Sequence, residues 1–219
     1  KSKDIFKIID TIKDDDDIIH VTDTMPNNTD STFKGVIDKE RRFQIESNHT
    51  ATHLLHLALK NILGNHVEQR GSMISEESFR FDFSHQSKLS TEEINKVEDY
   101  VNNLINENID LVEDRSADYK EVIKKGAVGL FSEKYGEKVR TIKFNDSYEL
   151  CGGTHVKNTK DIWGFKIISE GSQAFGIRRI LATSSAKKVL AENLKKKAFK
   201  EKVVIDEANK LLKKEIESL

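Results

Sequence analysis

Apolar positions recur along this chain in three rhythms. Over residues 1–46 they come in short runs rich in Ile, Val, Thr and Phe, at Asp4–Ile12, Ile18–Thr24 and Thr32–Glu46. The polar clusters Asp14–Asp17 and Pro26–Asp30 separate them. β-Branched runs bounded by turn formers predict strands. Asp38-Lys39-Glu40 predicts a hairpin turn inside the third run, and the segment is expected to form a small β-barrel or meander.

After Glu46 the rhythm changes. A helix is expected from Ser47 or Asn48, both suitable N-caps, through HTATHLLHLALKNIL to Gly64, which suits the position after a helix end. Strands are expected at His66–Ile74 and Phe79–Phe83, the second alternating as Phe79, Phe81 and Phe83. Ser90 and Glu93 have the spacing of a capping box opening a helix to about Asn108. The apolar residues of that helix, Ile94, Val97, Val101, Leu104 and Ile105, share one face. Further on, the pattern predicts a strand near Ile109–Glu113, a helix near Ala117–Lys125, and strands at Val139–Phe144, Tyr148–Cys151, Ile162–Ser169 and Ile177–Ala182. Residues 47–183 therefore read as α+β, with helices packed on an antiparallel sheet.

Ser184–Leu219 carries the third rhythm. Its 36 residues include no Gly or Pro, and Lys and Arg outnumber Asp and Glu ten to six. A continuous helix there would be about 54 Å long. Ile205, Ala208, Leu212, Ile216 and Leu219 follow coiled-coil spacing for barely two heptads. A solvated connector helix is expected.

Composition narrows the class. Of 219 residues, 37% are hydrophobic and 33% charged, which is too apolar for a disordered chain. The single Cys excludes a disulfide framework and points to a reducing compartment, so a cytoplasmic location is expected. No run of 18 apolar residues predicts a membrane span, and Lys1-Ser2-Lys3-Asp4 lacks a signal-peptide pattern. The first residue is not Met, so a piece of a longer chain is expected. The net charge of −1 gives no bulk attraction to nucleic acid.

Candidate chemistry gathers at two places. His49 and His53 stand four apart in a predicted helix, which puts both imidazoles on one face. Alone this is a weak signal, and Thr50 replaces the glutamate that a zinc-protease motif would carry. The only Cys begins Cys151-Gly152-Gly153-Thr154-His155, where two glycines let the backbone fold back and aim both side chains at one point. Three imidazoles and one thiolate suit tetrahedral zinc, the expected cofactor. A closed four-ligand site is usually structural, whereas catalytic zinc keeps one position open to water; the sequence leaves both open. Thr52 lies about 60° around the helix from His49 and can edge the same cavity, or simply bond a helix carbonyl. Gln69 follows on a strand and can donate and accept hydrogen bonds, or be merely exposed. Glu149 shares strand parity with Cys151 and can stand behind a ligand. His56 shares the face of His49 as a supporting or core residue. His20, His66 and His85 have no ligand-spaced partner and are read as structural.

These residues resemble the editing domain of the alanyl-tRNA synthetase family. The likeness rests on Asn48-His49-Thr50-Ala51-Thr52-His53-Leu54-Leu55-His56 followed by Glu149-Leu150-Cys151-Gly152-Gly153-Thr154-His155. Gln69-Arg70-Gly71-Ser72, Arg80-Phe81-Asp82-Phe83-Ser84-His85 and Gly176-Ile177-Arg178-Arg179-Ile180 extend it over roughly residues 18–183. Free-standing trans-editing proteins and the threonyl-tRNA synthetase editing domain share the zinc pattern. The Cys-Gly-Gly-Thr-His form and the trailing helix favour the synthetase.

The resemblance implies a zinc-containing editing domain at 47–183, between a barrel-like segment at 1–46 and a helical connector at 184–219. It implies hydrolysis of Ser-tRNA(Ala) and Gly-tRNA(Ala), because a pocket shaped for alanine admits glycine and discriminates poorly against serine. By motif, His49, His53, Cys151 and His155 are the zinc ligands. Gln69 would place substrate or water, and Thr52 would sense the serine hydroxyl. Arg178 and Arg179 are candidates for phosphate contact near the acceptor end of tRNA(Ala), although alternation sends them to opposite sheet faces. The remainder of the synthetase is expected in cis, with no membrane partner. The class II aminoacylation motifs are missing from this sequence, so neither alanine activation nor ATP binding is expected of it. The alternatives are a zinc-stabilised tRNA-binding module without activity, or a free-standing deacylase.

Overall fold

Two of the three β-branched runs near the N-terminus pair with each other. In the computed structural model, which describes residues 5–15, 17–129 and 135–217, Ile8–Asp14 (β1) and Asp17–Thr22 (β2) form a two-stranded antiparallel sheet. Asp15 takes the left-handed conformation at its turn (φ +49°), which a short polar side chain tolerates. The expected barrel does not form. Two strands leave both edges open, and Ile9, Ile12 and Ile18 remain 54%, 48% and 56% exposed. These strands belong to a compact unit, Lys1–Ile37, separate from Asp38–Leu219.

The expected third strand over Thr32–Glu46 is also corrected. Residues 32–38 have no regular structure, and Lys39 begins a 25-residue helix, Lys39–Leu63 (α1). Asp38 does not turn a hairpin. It is the N-cap, its carboxylate accepting from the Arg41 backbone N–H at 3.0 Å. Ser47 and Asn48 consequently lie inside the helix, both buried. The Asn48 amide donates to Ser75 O at 2.8 Å and its oxygen accepts from Ser184 N and Oγ at 2.9 and 2.8 Å, tying α1 to two loops. Gly64 ends the helix at φ +116°, a conformation that favours glycine, with its N–H donating to Lys60 O.

The larger unit then follows the expected α+β order. Gln69–Ile74 (β3) and Phe79–Ser84 (β4) form a hairpin. Thr91–Asn106 (α2) starts from the reciprocal Ser90–Glu93 box. Val112–Asp118 (β5), Tyr119–Lys124 (α3), Lys138–Phe144 (β6), Ser147–Leu150 (β7), Lys166–Ala174 (β8) and Ile177–Thr183 (β9) complete two antiparallel sheets. Their orders are β3-β4-β9-β8 and β5-β6-β7. Leu54, Leu55 and Leu59 of α1 and Val97 and Val101 of α2 bury against Phe79, Phe81, Phe83 and Ile180 in one core. The alternation along β4 thus aims its phenylalanines at the helices. Ala186–Glu217 (α4) is the expected long helix; Val189 is buried near its start, while Leu194 and Phe199 are exposed. Ala208, Leu212, Ile216 and Leu219 of the coiled-coil pattern lie outside the residues whose side chains are described. No helix among the described residues is long and apolar enough to cross a membrane.

Candidate metal centre

Helical geometry places His49 and His53 on one face of α1, their ring centroids 5.2 Å apart. The second pair comes from the loop after β7. One ligand atom each from His49, His53, Cys151 and His155 lies within 4.8 Å of all the others. Cys151 Sγ is 3.4 Å from both His49 Nε2 and His155 Nε2. Gly153 makes this convergence possible: a Cβ there would sit 2.2 Å from His49 Cε1, whereas one at Gly152 would meet nothing within 4 Å. Its value at position 153 is close approach, because neither glycine has a left-handed φ.

Hydrogen bonds outside the cluster fix which nitrogens face inward. His49 Nδ1 lies 3.1 Å from Thr154 O. A carbonyl only accepts, so Nδ1 carries the proton and Nε2 offers its lone pair towards the sulfur. His155 Nδ1 meets Thr50 Oγ1 at 3.1 Å, and the same oxygen accepts from Val156 N at 3.3 Å. Glu149 is buried between two histidines, with Oε1 3.0 Å from His56 Nδ1 and Oε2 3.6 Å from His53 Nε2. His53 Nδ1 is buried with no hydrogen-bond partner among the described residues.

The electrostatics favour ligation. Burial, then the neighbouring His53, pushes His49 down to about 4. Burial likewise lowers His53 and His155. All three imidazoles are therefore neutral at pH 7, the state in which they bind metal. Burial raises the Cys151 thiol, a penalty that a coordinated cation reverses. Burial alone would raise Glu149, but His53 and then His56 hold it below the usual carboxylate range. Three imidazole nitrogens and one sulfur fit a tetrahedral divalent ion.

The other expected residues fall in various places. Thr52 is buried and donates to Asn48 O at 2.8 Å, within its own helix. Gln69 is half-buried on β3, its amide donating to Ser72 Oγ at 3.0 Å. Arg178 and Arg179 turn to opposite neighbours. Arg178 is 2.6 Å from Glu170, and Arg179 forks onto Asp82 at 2.6 and 2.8 Å. Of the two side chains, Arg179 is the more open, 31% exposed against 11%. His66 and His85, which sequence spacing leaves without partners, meet at 2.9 Å (Nε2 to Nδ1). They recruit no third ligand, and the four-residue cluster is the only such group among the described residues. Thr50 and Arg140 are the functional neighbours that sequence reasoning misses. Arg140 donates to Cys151 O and Gly153 O at 2.8 and 2.5 Å. Thr50, adjacent to His49, carries a local signal; Arg140, on another strand, carries none.

The chain is similar to known proteins over most of its length. Residues 139–180, which include Cys151 and His155, match the threonyl and alanyl tRNA synthetase second additional domain. The chain is 54% identical to an alanine–tRNA ligase of Christiangramia forsetii, over 82% of this chain and 21% of that protein. It is 45% identical to that of Flavobacterium psychrophilum, over 97% of this chain and 24% of that protein. With the Cytophaga hutchinsonii enzyme it shares 49% identity, over 85% and 22% of the two chains. The chain thus spans about a fifth to a quarter of the length of these relatives. It belongs to the alanine–tRNA ligase family, in the stretch that carries the second additional domain.

Proposed function

We propose that this chain is the editing domain of an alanyl-tRNA synthetase, a zinc-containing deacylase that hydrolyses the ester joining serine or glycine to tRNA(Ala). The carrying observation is the convergence of four ligand atoms within 4.8 Å, drawn from His49, His53, Cys151 and His155. Bound zinc would supply a Lewis acid or a fixed template beside the ester. The protein's own residues do the rest. Thr154 O and Thr50 orient two imidazoles, and Glu149 backs a third. Thr52 has given its proton to Asn48 O, so its oxygen remains an acceptor and suits a serine hydroxyl as donor. We assign Gln69 to placing substrate or water. Arg179, the more exposed of the arginine pair, is assigned to a phosphate contact made by exchanging its Asp82 partner. The rest of the synthetase in cis and the tRNA(Ala) acceptor end are the partners, and the cytoplasm is the working compartment.

The test is hydrolysis of Ser-tRNA(Ala) and Gly-tRNA(Ala) by the purified chain. Cys151→Ala should abolish both. Thr52→Val should slow the serine substrate about two- to tenfold, the worth of one hydrogen bond, and leave the glycine substrate nearly unchanged. Equal loss on both substrates would remove Thr52 from specificity. Four protein donors, which can close a tetrahedral shell, favour one alternative: a zinc-stabilised tRNA-binding module. Binding of tRNA(Ala) with no turnover on either substrate would establish it.

A further inference from the structure

The loop that supplies Cys151 and His155 has almost no means of holding its own shape. It carries no regular secondary structure, and two of its five residues are glycine. Glycine leaves the backbone its widest conformational freedom. Yet this loop must hold Cys151 Sγ and His155 Nε2 3.4 Å apart, with Gly153 against the His49 ring. Apart from the ligands, the attachments are few. Cys151 N donates to Arg140 O, and Thr154 O accepts from His49.

At the far end Thr50 Oγ1 meets His155 Nδ1 and accepts from Val156 N, and a second side chain restrains the middle of the loop. Arg140 Nη1 reaches Cys151 O at 2.8 Å and Gly153 O at 2.5 Å, bridging two carbonyls on either side of Gly152. Its Nε donates to Glu113 Oε1 at 2.7 Å, and that oxygen also takes Arg115 Nε at 2.7 Å. Glu113 lies on β5 and Arg140 on β6, so the guanidinium plane is anchored to the sheet before it reaches the loop. A planar fork fixed at one edge can hold acceptors at another, which a flexible ammonium cannot do.

We propose that Arg140, aligned by Glu113, is a positioning residue that clamps the Cys151–His155 loop in its ligating shape. The proposal rests on the metal-site reading above, although the clamp itself is a property of the protein without metal. Electrostatics give it a sharp opposite. A cation beside a divalent ion repels it, so a bystander Arg140 would make its removal tighten zinc binding. A clamp makes the same removal weaken it.

The experiment measures zinc affinity by chelator competition, together with amide hydrogen exchange of residues 152–155 in metal-free protein. Arg140→Met and Arg140→Lys should each weaken zinc about 10- to 100-fold, the usual effect of losing a group that supports a ligand. Both should speed exchange across the loop by about tenfold or more. Glu113→Gln should do the same to a smaller degree, and it carries the test if Arg140→Met fails to fold. Unchanged or tighter zinc binding in Arg140→Lys, with unchanged loop exchange, overturns the clamp. If the wild-type chain binds no zinc, the metal-site reading fails. Loop exchange in the variants then decides the clamp separately.

Discussion

Gly153 marks how little room the centre leaves at the scale of single residues. A Cβ at that position would penetrate the His49 ring, whereas the neighbouring Gly152 faces open space. Gly153→Ala should therefore push His49 aside and weaken zinc binding by at least tenfold, comparable to losing a supporting group. Gly152→Ala should stay within about 0.5 kcal/mol of wild type in stability and hold zinc normally. Chelator competition and a thermal melt on both variants check the contrast; equal effects would contradict it. The two ligand pairs are legible in the sequence because each has a local signature: an i, i+4 spacing on a helix, and a lone Cys beside two glycines. Glu149 is legible by strand parity. Arg140 is not, since nothing local relates a β6 residue to carbonyls beyond β7. Of the two roles that sequence suggests for Thr52, the bond to a helix carbonyl is present.

At the scale of elements, caps decide where helices begin, and caps share their chemistry with turns. Ser90 and Glu93 are unambiguous because the box needs both members, and both of its hydrogen bonds are present. Asp38 is ambiguous. Its carboxylate can serve a hairpin or an N-cap, and the alternation of Phe43 and Ile45 imitates a strand. The helix wins because the buried residues Ala51, Leu54, Leu55, Ala58 and Leu59 continue at helical spacing along the same α1. Asp38→Ala should cost about 1 kcal/mol, lowering the thermal midpoint by roughly 2–4 °C in a chain of this size. A midpoint unchanged within error would mean that the first turns of α1 frays without consequence. The N-terminal strands teach a related lesson. Their β-branched content announces strands, but partners for a sheet face are a tertiary matter, and among the described residues β1 and β2 pair only with each other.

At the scale of the whole molecule, the centre joins elements that the chain separates widely. His49 and His53 ride on α1, which packs against both sheets, while Cys151 and His155 leave the edge of the three-stranded sheet. An ion held by all four would add a further tie between the helix and the loop after that second sheet, and couple metal binding to folding. The chain is similar to alanine–tRNA ligases and spans about a fifth to a quarter of their length. The most direct measurement is X-ray absorption at the zinc edge on protein purified without chelator. The account predicts one zinc per chain with three nitrogen neighbours at about 2.0–2.1 Å and one sulfur at about 2.3 Å. Sub-stoichiometric zinc, or a shell of oxygen with no sulfur, would contradict it.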